Sequence, residues 1–459
     1  MALVIQTGVT MWQRAGRAIV LLAIFAQAVI AIAYGVPGHL SIDSVVQLYE
    51  GRTHEFISFH PPMMSLLLGL MDQVVPGAAL FVLLNQLLYT TSLLLLLRHF
   101  GQSVGVVGGL LAATVLLNPI VAVYTGIVWK DVLFAHLILF GYVCLAVSAW
   151  QTTRARLTFA AVAIIAVALA ASLRQQGLLL ALPAALYVGW SIAAKGYARL
   201  TVAAGALSLV LGINALILHG ADRVAIRAPE SRASTGLLLL ARYDLAGILA
   251  HGGSLPDPQS DREMRPVVPS YDPYRADGLG WPAQDSGLMK FSYRDAYALW
   301  ARSILHSPAA YLRHRARHFG FLLGLGDATR CPPLHLGVPA QAVHPELGRE
   351  LVRELGLTPG VDARAQRMHD WLKPLFDGPL FMHLFYCALT GLATLVLIRR
   401  GDNWPFVLFG IGTLVFTASY AVVSIACDFR YIYVLPVTAT ALLFAQFVGA
   451  GARSGASPA

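Results

Sequence analysis

Residues 18–36 read Ala-Ile-Val-Leu-Leu-Ala-Ile-Phe-Ala-Gln-Ala-Val-Ile-Ala-Ile-Ala-Tyr-Gly-Val, an uncharged run preceded by Arg14 and Arg17. A helix of that length rises about 30 Å, the thickness of a bilayer's hydrocarbon core. Ala31-Ile32-Ala33 also has the form of a signal-peptide cleavage site. The run stays uncharged as far as Ile42 and is long enough to span, so it reads as an uncleaved first helix. Further uncharged windows follow near residues 77–97, 104–123, 132–150, 157–173, 177–194, 200–219, 379–398, 404–427 and 432–450, which makes about ten spans. Composition agrees: 57% of the 459 residues are hydrophobic, 12% are charged, and the mean hydropathy is +0.64. A soluble globular chain is excluded, and an all-α polytopic membrane protein is expected.

Positive charge falls on alternate connections: Arg14/Arg17, Arg98, Arg154/Arg156, Lys195/Arg199, Arg399/Arg400 and Arg453. By the positive-inside rule both termini are cytoplasmic, and the net charge of +9 signals topology rather than nucleic acid. The connections at 37–76, 124–131, 173–176, 220–378 and 428–431 then lie outside. The chain divides into an N-terminal transmembrane module of seven spans (1–219) with an external first loop (37–76), an external domain (220–378), and a C-terminal module of three spans (379–459). None of the four asparagines begins an Asn-x-Ser/Thr sequon, which favours a bacterial inner membrane.

Prolines 256, 258, 266, 269, 273 and 282 punctuate the external segment, whose helical patterns cover about 288–305, 307–319 and 344–356, the rest reading as turns and loops. Arg313, Arg315 and Arg317 argue against an eleventh span. The segment therefore reads as an interfacial helix with Ser307 as N-cap and Pro308 in its first turn. His314 and His318, four apart, have ligand spacing but are assigned with Arg313 and Arg317 to a basic face toward anionic lipid. Cys331 and Cys427 share the external side, where a disulfide is permitted; Cys427 inside the ninth span would instead be a small apolar residue.

The polar outlier of the N-terminal half is Ser41 to Pro62, where Asp43, Glu50, Glu55, Arg52, His54 and His60 crowd into about twenty residues. Three other external charges break the topology rule: Lys130 with Asp131, Arg174 in Leu-Arg-Gln-Gln-Gly, and Arg430 in Cys-Asp-Phe-Arg-Tyr. Each sits in a connection almost too short to do more than turn, where a lone arginine is equally a headgroup anchor. Together they suit a phosphate: an arginine fork pairs phosphate oxygens and a lysine is a point charge, while a carboxylate at the same depth takes a proton from an acceptor hydroxyl.

Asp43 in the first external loop, the His60-Pro61-Pro62 turn before the second span, and Asp131 opening the fourth resemble the GT-C glycosyltransferases. That superfamily includes the protein O-mannosyltransferases and the lipid A aminoarabinose transferases. The Lys-Asp pair and the Leu-Arg-Gln-Gln-Gly turn look more like its bacterial branch, and Ser44 stands where the mannosyltransferase pattern has glutamate. The resemblance implies a GT-C-like bundle that moves a sugar from a polyprenyl-phosphate donor to a lipid, glycan or protein acceptor with inversion. It implies Asp43 as general base, with Asp131 and His60 beside it. Lys130, Arg174 and Arg430 would hold the donor phosphate, and Glu55, Gln175 and Tyr431 would position substrate. No cofactor is required, although a divalent cation shared by Asp43 and Asp131 stays open. The competing readings are a transporter or flippase of lipid-linked glycan, a non-catalytic subunit of envelope assembly, and a ligase-like transferase with its site in a late loop.

Overall fold

The computed structural model describes residues 10–56, 60–193, 195–226, 232–279, 293–337, 345–358, 360–401 and 403–449. The protein is an all-α polytopic membrane protein, and among the described residues extended pairing is limited to isolated bridges such as His39 with Ile127. In chain order the helices are α1 (Met11–Gly35), α2 (Ile42–Thr53), α3 (Met63–Val74), α4 (Ala79–Phe100), α5 (Val106–Leu116), α6 (Pro119–Tyr124), α7 (Lys130–Ser148), α8 (Thr153–Leu173), α9 (Leu178–Ile192) and α10 (Tyr197–Val224). There follow α11 (Arg232–Ala250), α12 (Pro258–Met264), α13 (Tyr293–His306), α14 (Pro308–Leu322), α15 (Pro345–Glu354), α16 (Ala363–Leu372), α17 (His383–Arg400), α18 (Trp404–Val423) and α19 (Val434–Gly449).

Each of the ten apolar windows holds helix, but among the described residues seven helices are long and apolar enough to cross a membrane, and those of windows 104–123, 177–194 and 379–398 are not among them. Window 104–123 departs from a single span. It breaks into α5 and α6 at Asn118, whose side chain caps Ile120 ahead of Pro119, a residue that cannot continue the preceding helix. Helix α7 is buried on nearly every face and forms the centre of the bundle, whereas α10 buries only Ala203, Val210 and Ala221. An α-helix that is apolar all round needs either protein or lipid on every side, and these two helices are the two cases. At one end of the bundle the Gly16 backbone lies against Val104 and Gly105, and Gly108 against Phe447, gathering α1, α5 and α19.

The polar segment packs in two ways. Tyr243, Ile248, Met264, Leu299 and Ala310 form a separate core from α11 to α14, while Leu351, Leu355, Leu372 and Phe381 join the bundle core. Helix α11 corrects the expectation of turns and loops there: Leu238, Leu240, Ala241, Leu245 and Leu249 give it a buried apolar face.

Helix α14 corrects the interfacial reading. His314 and His318 point inward, with His314 Nε2 3.1 Å from Asp244 and His318 Nδ1 3.0 Å from the Tyr243 hydroxyl. Arg315 is buried on Asp244 at 2.5 Å, while Arg313 and Arg317 stay exposed. The partner that draws this face inward, Asp244, lies 70 residues upstream of His314. Ser307 does not cap α14; its hydroxyl donates to the Ser254 carbonyl at 2.8 Å.

Candidate active site

Residues 35–44 run alongside residues 126–130, and this pairing brings the first loop to the head of α7. Gly35 and Gly126 cross with their backbones touching, so a side chain on either would meet the other chain. His39 N–H donates to the Gly126 carbonyl at 2.9 Å and Val128 N–H to the His39 carbonyl at 3.0 Å. Ser41 caps α2 in a reciprocal box with Ser44, the Trp129 indole donates to the Ser41 hydroxyl at 2.7 Å, and the Ser44 hydroxyl donates to the Val128 carbonyl at 2.5 Å. Ser44, where the mannosyltransferase pattern has glutamate, is thus a fully buried capping residue.

Asp43 follows in the first turn of α2, where the helix dipole favours a carboxylate. Arg430 reaches Asp43 Oδ2 at 2.6 Å and Asp428 at 3.2 Å, and its guanidinium carbon lies 4.9 Å from the centre of the Trp129 ring. His60 Nε2 stands 3.7 Å from Asp43 Oδ1, and His60 Nδ1 is 2.7 Å from Lys130 Nζ. An ammonium only donates, so Nδ1 accepts and the ring proton sits on Nε2, facing Asp43. Burial and the Lys130 charge push His60 below its ordinary value, which keeps it neutral at pH 7. Burial raises Asp43, but Arg430, His60 and Lys130 outweigh it and hold the carboxyl well below the usual range.

Arg174 bonds Asp131 directly, donates to the Tyr431 carbonyl at 3.1 Å, and lies 5.4 Å from the centres of the Tyr420 and Tyr431 rings. Both charges are buried, with exposures of 9% and 2%. Tyr431 separates the two arginines, its ring centre also lying 5.4 Å from the Arg430 guanidinium. Asp43, His60, Lys130, Asp131, Arg174, Arg430 and Tyr431 therefore form one cluster at one end of the bundle.

Glu55 and Gln175 do not join it. Glu55 accepts from Tyr49 at 3.1 Å past the far end of α2, about 15 Å along the axis from Asp43. Gln175 opens the turn after Arg174 with its side chain exposed. The other charges of the loop hold the α2/α3 hairpin: Glu50 accepts from Ser65 at 2.6 Å and Arg52 grips Asp72 at 2.7 and 2.8 Å.

Sequence reasoning left out Asp428, Arg275 and Asp277, which extend the pairing outward from Arg430. Asp428 was legible as the neighbour of Arg430 within two residues. Arg275 arrives only through the pairing of residues 274–276 with 425–427. The Cys331–Cys427 disulfide, with its Cα atoms 5.7 Å apart, closes the base of the same turn. A metal shared by Asp43 and Asp131 does not fit this arrangement, since each carboxylate faces a guanidinium. Among the described residues no group of three or more His, Cys, Asp or Glu is placed to hold an ion.

No protein-family model matches the chain, and no curated protein matches it. Among solved structures it is similar to that of ArnT from Cupriavidus metallidurans in the apo state, at 12% identity over 94% of this chain and 77% of that one, with a TM-score of 0.34.

Proposed function

We propose that the chain is a membrane glycosyltransferase of the bacterial inner membrane, with both termini cytoplasmic, that moves a sugar from a polyprenyl-phosphate donor to an envelope acceptor on the outer face. The observation that carries this reading is the cluster itself: one partly exposed carboxylate, Asp43, ringed by Arg430, His60 and Lys130, with Arg174 across Tyr431. Arg430 Nε is buried and has no hydrogen-bond partner among the described residues, a donor well suited to a phosphate oxygen.

In the reaction, Asp43 takes the proton of an acceptor hydroxyl. That oxygen bonds to the anomeric carbon as the bond from carbon to phosphate oxygen breaks on the opposite face, so configuration inverts. The electron pair leaves on polyprenyl phosphate, whose charge Arg430, Lys130 and Arg174 neutralise. A carboxylate held far below its usual range is a weak base. A donor phosphate that draws Arg430 away would restore basicity to Asp43 at the moment it is needed.

A second reading, a flippase of lipid-linked glycan, is favoured by one observation. His136 is fully buried inside α7 with Nδ1 3.0 Å from Asn85, and the buried Gln86 donates to Gln27 at 2.9 Å beside it. Purified protein given a radiolabelled polyprenyl-phosphate sugar and a membrane extract separates the readings. Transfer with release of polyprenyl phosphate, lost in Asp43→Asn, supports the transferase; movement of intact donor across the bilayer, with equal turnover in the variant, overturns it.

A further inference from the structure

Behind the Arg430 turn lies a cavity of about 260 Å³ to which no role has been assigned. Phe321, Phe376, Phe381 and Phe429 line it together with the exposed Asp327, whose Oδ1 accepts from Thr329, and the exposed Asp377; among the described lining residues there is no Lys or Arg. Phe429 lines this cavity, and its chain neighbour Arg430, about 3.8 Å away between Cα atoms, belongs to the cluster. Pockets for drug-sized ligands start at about 300 Å³, so the space suits a headgroup rather than a whole lipid.

The rim says where the ligand comes from. Leu325, Leu375, Leu380 and Leu384, each beside or within a few residues of a lining residue, are exposed by 36% to 57%. The Leu384 N–H donates to the Leu323 carbonyl at 3.0 Å, so the two leucine-bearing segments are adjacent. They stand where α14 ends and α17, one of the apolar windows, begins. An apolar margin continuous with the apolar face of α17 is a path for an acyl chain. Aromatic faces with carboxylate acceptors and no cation favour hydroxyl-bearing or amine-bearing groups and disfavour phosphate.

We propose that this cavity binds the phosphate-free, hydroxyl-rich headgroup of a membrane amphiphile and, on the transferase reading above, that this amphiphile is the acceptor. The cluster and the cavity then divide the substrates by charge: the cationic cluster takes the anionic donor, and the acidic aromatic cavity takes the acceptor.

The test uses the full chain in lipid nanodiscs, as wild type and as Asp43→Asn, with a photoreactive alkyl glucoside and the matched alkyl phosphate as probes. The glucoside is expected to label residues 321–333 and 376–382, with the phosphate labelling at least fivefold less. Ala328→Trp, which fills the space from a partly exposed loop, and Asp377→Lys, at an exposed side chain, should each lower glucoside labelling fivefold or more. Equal labelling by both probes, or undiminished labelling in both variants, overturns the headgroup site. In the transfer assay, labelled sugar should enter the solvent-extractable lipid fraction, and Ala328→Trp should raise the half-saturating lipid concentration with the donor KM unchanged. Label in protein or water-soluble glycan instead overturns the acceptor assignment. Absence of any transfer, with labelling intact, overturns the transferase reading and leaves the headgroup site standing.

Discussion

At Asp43 and Asp131 two carboxylates of similar setting in the sequence differ in what their removal should do. Asp43 is 26% exposed and Arg430 keeps Asp428 when it is lost, so Asp43→Asn should leave melting temperature and membrane insertion near wild type. Transfer should fall by about 10²- to 10⁴-fold, the usual contribution of a general base, as measured by donor turnover. Asp131 is buried on Arg174, and Asp131→Ala strands that cation; a loss of about 3–5 kcal/mol in stability is expected from thermal unfolding in detergent. Arg430→Lys keeps a charge but loses the fork, and should weaken donor use by about 10- to 100-fold. The low value of Asp43 also sets a pH profile. The ion pair with Arg430 is fully present above the ordinary carboxylate range near 4 and is lost only as pH falls through the lower folded value. Donor kcat/KM should therefore show no acid limb from Asp43 between about pH 7 and 5, and an Arg430→Gln variant should move that limb upward. An acid limb near pH 6 that disappears in Asp43→Asn would contradict this ordering.

Among the elements, α2 shows what the sequence exposes and what it hides. The crowding of charge between Ser41 and Pro62 marked Asp43 and His60, and Lys130, Arg174 and Arg430 stood out because each breaks the positive-inside pattern. Which charges meet was not legible, because the sorting depends on pairing across the chain. Glu50 and Arg52 are consumed by Ser65 and Asp72, and Glu55 is carried to the far end of a helix that the sequence presented as a loop. Helix α14 failed in the same way, its histidines turned inward by a buried aspartate on α11. The cap at Ser41 ties both effects together, since it starts α2 and bonds Trp129. Ser41→Ala should cost about 1 kcal/mol and lower transfer without altering expression, measured by unfolding and turnover side by side. The Cys331–Cys427 bridge holds the turn that carries Asp428 and Arg430. The non-reduced protein should run faster on a denaturing gel than the reduced protein, and Cys331→Ser should abolish the difference.

Over the whole molecule, the apolar windows forecast the helices because lipid demands that a spanning backbone satisfy its own hydrogen bonds, a constraint readable in composition alone. The packing of the polar segment was not readable: its first part builds a core of its own and its second part enters the bundle core, a division set by scattered leucines such as Leu351 and Leu355. On the transferase reading the cations around Asp43 form the seat of a donor phosphate. The most direct test is a cryo-EM structure of the full chain in nanodiscs with bound polyprenyl phosphate. Phosphate density is expected among Arg430, Lys130 and Arg174, with Arg430 drawn off Asp43. Phosphate density at the opposite end of the bundle, beside Arg98 or Arg399, with the Asp43–Arg430 pair unchanged, would contradict it.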